Sequence, residues 1–133
     1  MLVADVGHAI YKTNERNTQP WFSQFSDHRQ LTHIEPLLDS LSIHQNDFVI
    51  YWGDISPNTG LYLMNRRGWA QWSVGGGPLT EDKIEQCVNG GAKALIVDQN
   101  QYALNECERN VISKYDAQKL SDRNNVQIYS LRP

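Results

Sequence analysis

The sequence predicts an α/β fold: a three-layer sandwich around a mainly parallel sheet of about four strands, Rossmann-like or flavodoxin-like. Three observations predict it. Four short strand-like segments are separated by stretches of helical spacing, and parallel neighbours need crossovers, which are usually helices. The run Ala94-Leu95-Ile96-Val97 is apolar on both faces, as a central parallel strand requires. The connecting segments also carry start and stop signals, Ser56-Pro57 ahead of one and Asn89-Gly90-Gly91 behind another.

Residues 1–26 join an apolar start to a polar stretch, KTNERNTQ, and then to Trp21, Phe22 and Phe25, with no sustained period of either kind. They read as a lead-in, and residues 27–133 as a single α/β domain. Leu31, Ile34, Leu38 and Leu41 recur at helical spacing, and Pro36, which lacks the N–H a helix interior needs, predicts a kink or break near Glu35. Residues 47–52, DFVIYW, read as a buried strand closed by Gly53-Asp54. Ser56 then stands as N-cap with Pro57 at the first helical position. Leu61, Tyr62 and Met64 supply the apolar residues, and Asn65-Arg66-Arg67-Gly68 the stop, of a short helix weakened by Gly60.

Residues 69–74 read as the second strand, followed by the loop Gly75-Gly76-Gly77-Pro78. Thr80 is placed to cap a helix running through Ile84 and Val88. Residues 93–98, KALIVD, form the clearest buried strand. Tyr102, Leu104, Val111, Ile112 and Tyr115 suggest a last helical region, and residues 125–131 alternate as a closing strand.

Composition bounds the function. The 133 residues carry 12 Lys+Arg against 15 Asp+Glu, a net charge of -3, with 40% hydrophobic residues, which is one ordinary globular domain. A chain of this size can bury a core without metal or disulfide staples. Its slight acidity, with Arg66-Arg67 the longest basic run, argues against a nucleic-acid partner. No apolar run nears the ~20 residues that cross a bilayer. Asp5 falls where a signal peptide would need an apolar core. Cys87 and Cys107 are too few for a disulfide framework and make no zinc pattern, which leaves free thiols or one disulfide. His8, His28, His33 and His44 share no ligand spacing, so neither a metal nor a cofactor is expected.

Three places compete as sites. Asp54 and Asp98 each follow a strand, and open α/β sheets bind ligands beyond the carboxyl ends of their strands. An Asp after a strand also caps loops by accepting backbone N–H bonds. The glycines at 75–77 sit between a strand and a helix, where phosphate loops occur, but Glu81 and Asp82 place negative charge on the first helical turn and no phosphate-loop motif is present. They read as a turn. The stretch from Tyr62 to Trp69 brings Arg66, Arg67 and Trp69 together, types that suit an anion or a sugar. The same residues also suit a helix C-terminus followed by a core strand. No nucleophile elbow or catalytic triad is defensible from order alone.

The block NDFVIYWGDISPNTGLYLMNRRGW, with the later GGAKALIVDQ, resembles the C-terminal soluble part of bacterial membrane glycosyltransferases of the dolichyl-phosphate-mannose-protein mannosyltransferase type. The resemblance covers roughly residues 30–100. It implies a polytopic parent in the cell membrane that transfers a sugar from a polyprenyl-phosphate donor, with its catalytic acids on loops among the membrane helices. No catalytic residue is therefore assigned to this chain, which is expected to be a non-catalytic periplasmic or extracellular domain. Its partners would be the membrane-embedded part of the same polypeptide and a sugar or acceptor ligand. Asp54, Arg66, Arg67 and Trp69 fall in the resembling block, where packing, contact with the membrane body and acceptor recognition all remain open roles. Two rivals stand beside this: a self-standing α/β nucleotide- or sugar-phosphate-binding protein or enzyme, with its ligand over Asp54, Asp98 and the Gly75 loop, and an interaction module using Trp21, Phe22 and Phe25.

Overall fold

Five strands form one mixed sheet in the order β2-β1-β3-β5-β4. They are β1 (Phe48–Trp52), β2 (Arg67–Ala70), β3 (Ala92–Asp98), β4 (Gln118–Arg123) and β5 (Val126–Ser130). The computed structural model describes residues 29–53, 59–75, 80–99, 109 and 112–131. The lead-in, Ser56-Pro57, Gly76-Gly77-Pro78, Cys107 and most of the expected last helix lie outside the described residues.

The sheet corrects the expected fold class. β1 pairs parallel with β2 and with β3, but β5 runs antiparallel to both β3 and β4. A mainly parallel, four-stranded, Rossmann-like or flavodoxin-like sandwich is therefore overturned. The cause is local. Asn124 and Asn125 both take left-handed backbone angles, φ 53° and 61°, between the paired residues Arg123 and Val126. Two consecutive left-handed residues make the mirror-image turn that joins antiparallel strands, so the closing strand returns beside β4. β4 itself reads QKLSDR, with no alternation of apolar residues, because it lies at the sheet edge and is largely exposed. Lys119 and Asp122 pair there at 2.9 Å, charge that discourages a further strand from adding.

β1 and β3 lie at the centre because their apolar runs can be covered on both faces. On one face, Val49, Tyr51, Ala94, Ile96 and Ile128 meet Leu31, Ile34, Leu38, Leu61 and Met64. These come from a 3-10 turn (Arg29–Leu31), α1 (Glu35–Ser40), α2 (Thr59–Leu63) and their flanks. On the other, Ile50, Trp52, Leu95, Val97 and Tyr129 meet Ile84, Cys87 and Val88 of α3 (Glu81–Asn89). Each large side chain so buried stabilises the fold by roughly 1.5–3 kcal/mol. Among the described residues no helix is long and apolar enough to cross a membrane.

Several local expectations shift. Pro36 stands in the first turn of α1, where its missing N–H costs nothing, and the break falls ahead of it, between the 3-10 turn and Glu35. β2 begins at Arg67, and residues 71–74 coil into a 3-10 turn instead of continuing the strand. Gly68 is not the helix stop. It lies inside β2 at φ 143°, where a Cβ would sit 1.8 Å from the Val49 carbonyl oxygen. Thr80 does occupy the N-cap of α3, although its side chain makes no capping bond.

Candidate functional site

The parallel strands separate two edges of the molecule, and the residues singled out from sequence divide between them. Asp98 ends β3 at the carboxyl edge. Arg67 starts β2 in register with Phe48, four residues below the end of β1 at Trp52, and Asp98 lies one residue past Trp52's partner Val97, so the two are about 17 Å apart along the strands. Asp98 and the arginine pair therefore do not share a site. Asp54 lies outside the described residues.

At the carboxyl edge, β1 and β3 form the switch point, since the chain leaves β1 toward β2 on one side and returns to β3 on the other. Asp98 is fully buried there. Its Oδ2 accepts a hydrogen bond from the Tyr51 hydroxyl at 3.3 Å and another from the Gln30 amide. Gly53 closes against it so tightly that a Cβ would lie 2.7 Å from the Asp98 carbonyl oxygen. The carboxylate thus ties the 3-10 turn to two strands.

The opposite edge is organised by Arg66. Both α1 and α2 end in the same motif, a left-handed residue followed by a reversed chain. Ser42 at φ 62° precedes the Ile43 N–H bond to the Leu38 carbonyl, and Asn65 at φ 51° precedes the Arg66 N–H bond to the Leu61 carbonyl. The guanidinium of Arg66 lies between the two ends with its side chain wholly buried. Nε and Nη2 donate to the Ile43 carbonyl, Nη1 to the carbonyls of Met64 and Asn65, and Nη2 also to Asp39 Oδ1. A guanidinium has five N–H donors, and all five are engaged. The positive charge offsets the carbonyl ends of two helices and the Asp39 carboxylate on the last turn of α1, which would otherwise oppose that helix's dipole.

Beside this knot is an open cleft of about 690 Å³ between α1, α2 and the start of β2. Tyr62, on the outer side of α2 and 83% exposed, lines it. Arg67, exposed at the first position of β2, lines it too. Asn65 orders its polar wall: its amide nitrogen donates to Glu35 Oε1 at 2.8 Å, and its oxygen accepts from the Gln45 amide at 3.0 Å.

Trp69 faces the other side of the sheet. Its ring meets Phe48 at 5.6 Å with a 54° tilt, and Gly90 leaves room for it, since a Cβ there would fall 2.6 Å from Trp69 Cζ2. His33 and His44 are exposed, His8 and His28 lie outside the described residues, and among the described residues no group of three metal-ligating side chains gathers. Cys87 is a free, buried thiol whose pKa burial pushes up to about 11, so it packs as a small hydrophobe.

Among the described residues named from sequence, the structure brings Arg66 and Arg67 together with Tyr62 at one cleft and leaves Trp69 and Asp98 apart from it. Tyr62 opens the stretch that the sequence offers as an anion or sugar site, whereas Glu35 and Gln45, which line the same cleft, come from outside that stretch. One signal for Tyr62 was available: Leu61 and Met64, three apart, both turn inward, which leaves position 62 on the outer face of a short helix. Compared with known proteins, the chain matches no family model, no curated protein and no solved structure.

Proposed function

We propose that the chain is the extracytoplasmic, non-catalytic soluble domain of a polytopic membrane glycosyltransferase that uses a polyprenyl-phosphate-linked sugar, and that it helps recognise the acceptor. The lipid-embedded part of the same polypeptide performs the transfer. One observation supports this reading above the others. Side chains and glycines in the resembling block, Gly53, Arg66, Gly68 and Trp69, each have an internal packing or bonding role. A block recognisable for building a particular domain has this character, whereas a reacting constellation presents its groups to a substrate. Acceptor recognition is assigned to the open edge beside α2, where Tyr62 and Arg67 remain exposed.

The reading frame upstream of Met1 tests the proposal. It should encode a dozen or so hydrophobic segments of about 20 residues each. Transfer activity should need that membrane part, and the 133-residue chain alone should turn over no sugar donor. A frame without such segments, or turnover by the chain alone, overturns the proposal.

A further inference from the structure

We infer that the cleft between α1, α2 and β2 is a saccharide-binding site with Tyr62 as its stacking platform. This deepens the proposed function and rests on it for its biological sense, because it makes the recognised portion of the acceptor a glycan. Three observations converge. An aromatic ring left 83% exposed on a helix, beside a cleft of about 690 Å³, offers an apolar face that water does not reward. Pyranose rings present a complementary face of C–H groups.

The polar wall is pre-set. Asn65 holds Glu35 through one carboxylate oxygen and Gln45 through its amide nitrogen. The other oxygen of Glu35 and the amide oxygen of Gln45 keep their acceptor capacity for hydroxyl donors. Held this way, the two side chains lose little further freedom on binding. Arg67 adds donors on the same wall.

The charge balance favours a neutral sugar over an anion. Arg66 lines the cleft, but all five of its donors are engaged within the chain. Arg67 is then the cation with donors to offer, while Glu35 Oε1 lies 3.8 Å from Arg66 Nη1 and Asp39 bonds Arg66, so two carboxylates balance the two arginines around the cleft. An anion would meet about as much repulsion as attraction, whereas hydroxyl groups can use both partners.

The test is amide chemical-shift mapping of the 133-residue chain titrated with methyl α-mannopyranoside, methyl β-galactopyranoside, N-acetylglucosamine and, separately, inorganic phosphate. At least one sugar should shift the amides of residues 61–67 saturably, with a Kd of about 1–10 mM. Tyr62→Ala, at an exposed position, should leave the remaining spectrum in place and weaken that sugar about fivefold or more, the loss of one stacking face. No saturable shift with any sugar, an unchanged Kd in Tyr62→Ala, or saturation by phosphate alone overturns the inference. These outcomes are separable from the parent-protein question: a reading frame without membrane segments removes the proposed function and leaves measured sugar binding standing. A membrane-spanning parent with no sugar shift removes only the inference.

Discussion

The guanidinium of Arg66 donates twice to one carbonyl, that of Ile43, from Nε at 3.2 Å and Nη2 at 2.9 Å. Two helix ends that are 23 residues apart in sequence are thereby closed by one side chain. Arg66→Met keeps the buried stem but leaves the carbonyls of Ile43, Met64 and Asn65 short of donors. A loss of about 3 kcal/mol in urea unfolding is expected, from two or more unpaired buried groups at ~1–3 kcal/mol each. Arg66→Lys should recover only part of it, because an ammonium cannot reproduce the fork.

Gly60→Ala should destabilise the protein although it improves the helix. Alanine gains about 1 kcal/mol in helix propensity. The added Cβ, however, would lie 2.0 Å from Tyr51 Cε1, and Tyr51 is fully buried and bonded to Asp98. Overpacking of this kind costs about 1–3 kcal/mol and should win. A lowered urea midpoint with an unchanged slope would bear this out; an unchanged midpoint would refute it.

The Asn124-Asn125 turn should respond by backbone conformation. Asn125→Gly suits the left-handed angle and should leave the thermal midpoint equal or higher. Asn124→Val places a β-branched residue at φ 53° and should cost about 1–2 kcal/mol. Thermal unfolding of the two variants decides this, and equal midpoints would mean that the turn does not set the hairpin.

Acid should weaken the contact between β3 and the turn ahead of β1. The carboxyl of Asp47 is held below its ordinary pKa by the bond from Lys93, and secondarily by the His44 backbone N–H at 2.8 Å. A depressed carboxyl contributes stability above its unfolded pKa of about 3.9, lost as the pH falls through the lower folded value. Asp47→Asn should therefore flatten the urea midpoint between pH 5 and pH 2 relative to the parent chain. Identical acid profiles would remove Asp47 from the account.

Cys87 should resist alkylation. With its thiol pKa raised to about 11 by burial, little thiolate exists near neutral pH. In a Cys107→Ser background, iodoacetamide should label Cys87 only as the chain unfolds. The linkage has the opposite sign to that of Asp47: the contribution is complete below the unfolded thiol pKa of about 8.5 and lost as pH rises toward 11. Rapid labelling of the folded chain would refute it.

The central strands β1 and β3 and the helices α1 and α3 are legible in the residues alone, because continuous apolar runs and helical spacing are local signals of burial. So is the stop of α3, at Asn89-Gly90-Gly91. The rest was settled by contacts between segments distant in the chain. The direction of β5 depends on a polar edge strand that carries no periodic signal, since one row of its backbone groups and most of its side chains meet solvent. Gly60 weakens a helix when read locally and is required once Tyr51 lies beneath it. Arg66 and Arg67 are neighbours of like type, yet one is turned inward onto two helix ends and the other outward into the cleft with Tyr62. Which way a side chain turns at a helix–strand junction depends on carbonyls supplied by another segment, and no local pattern records those.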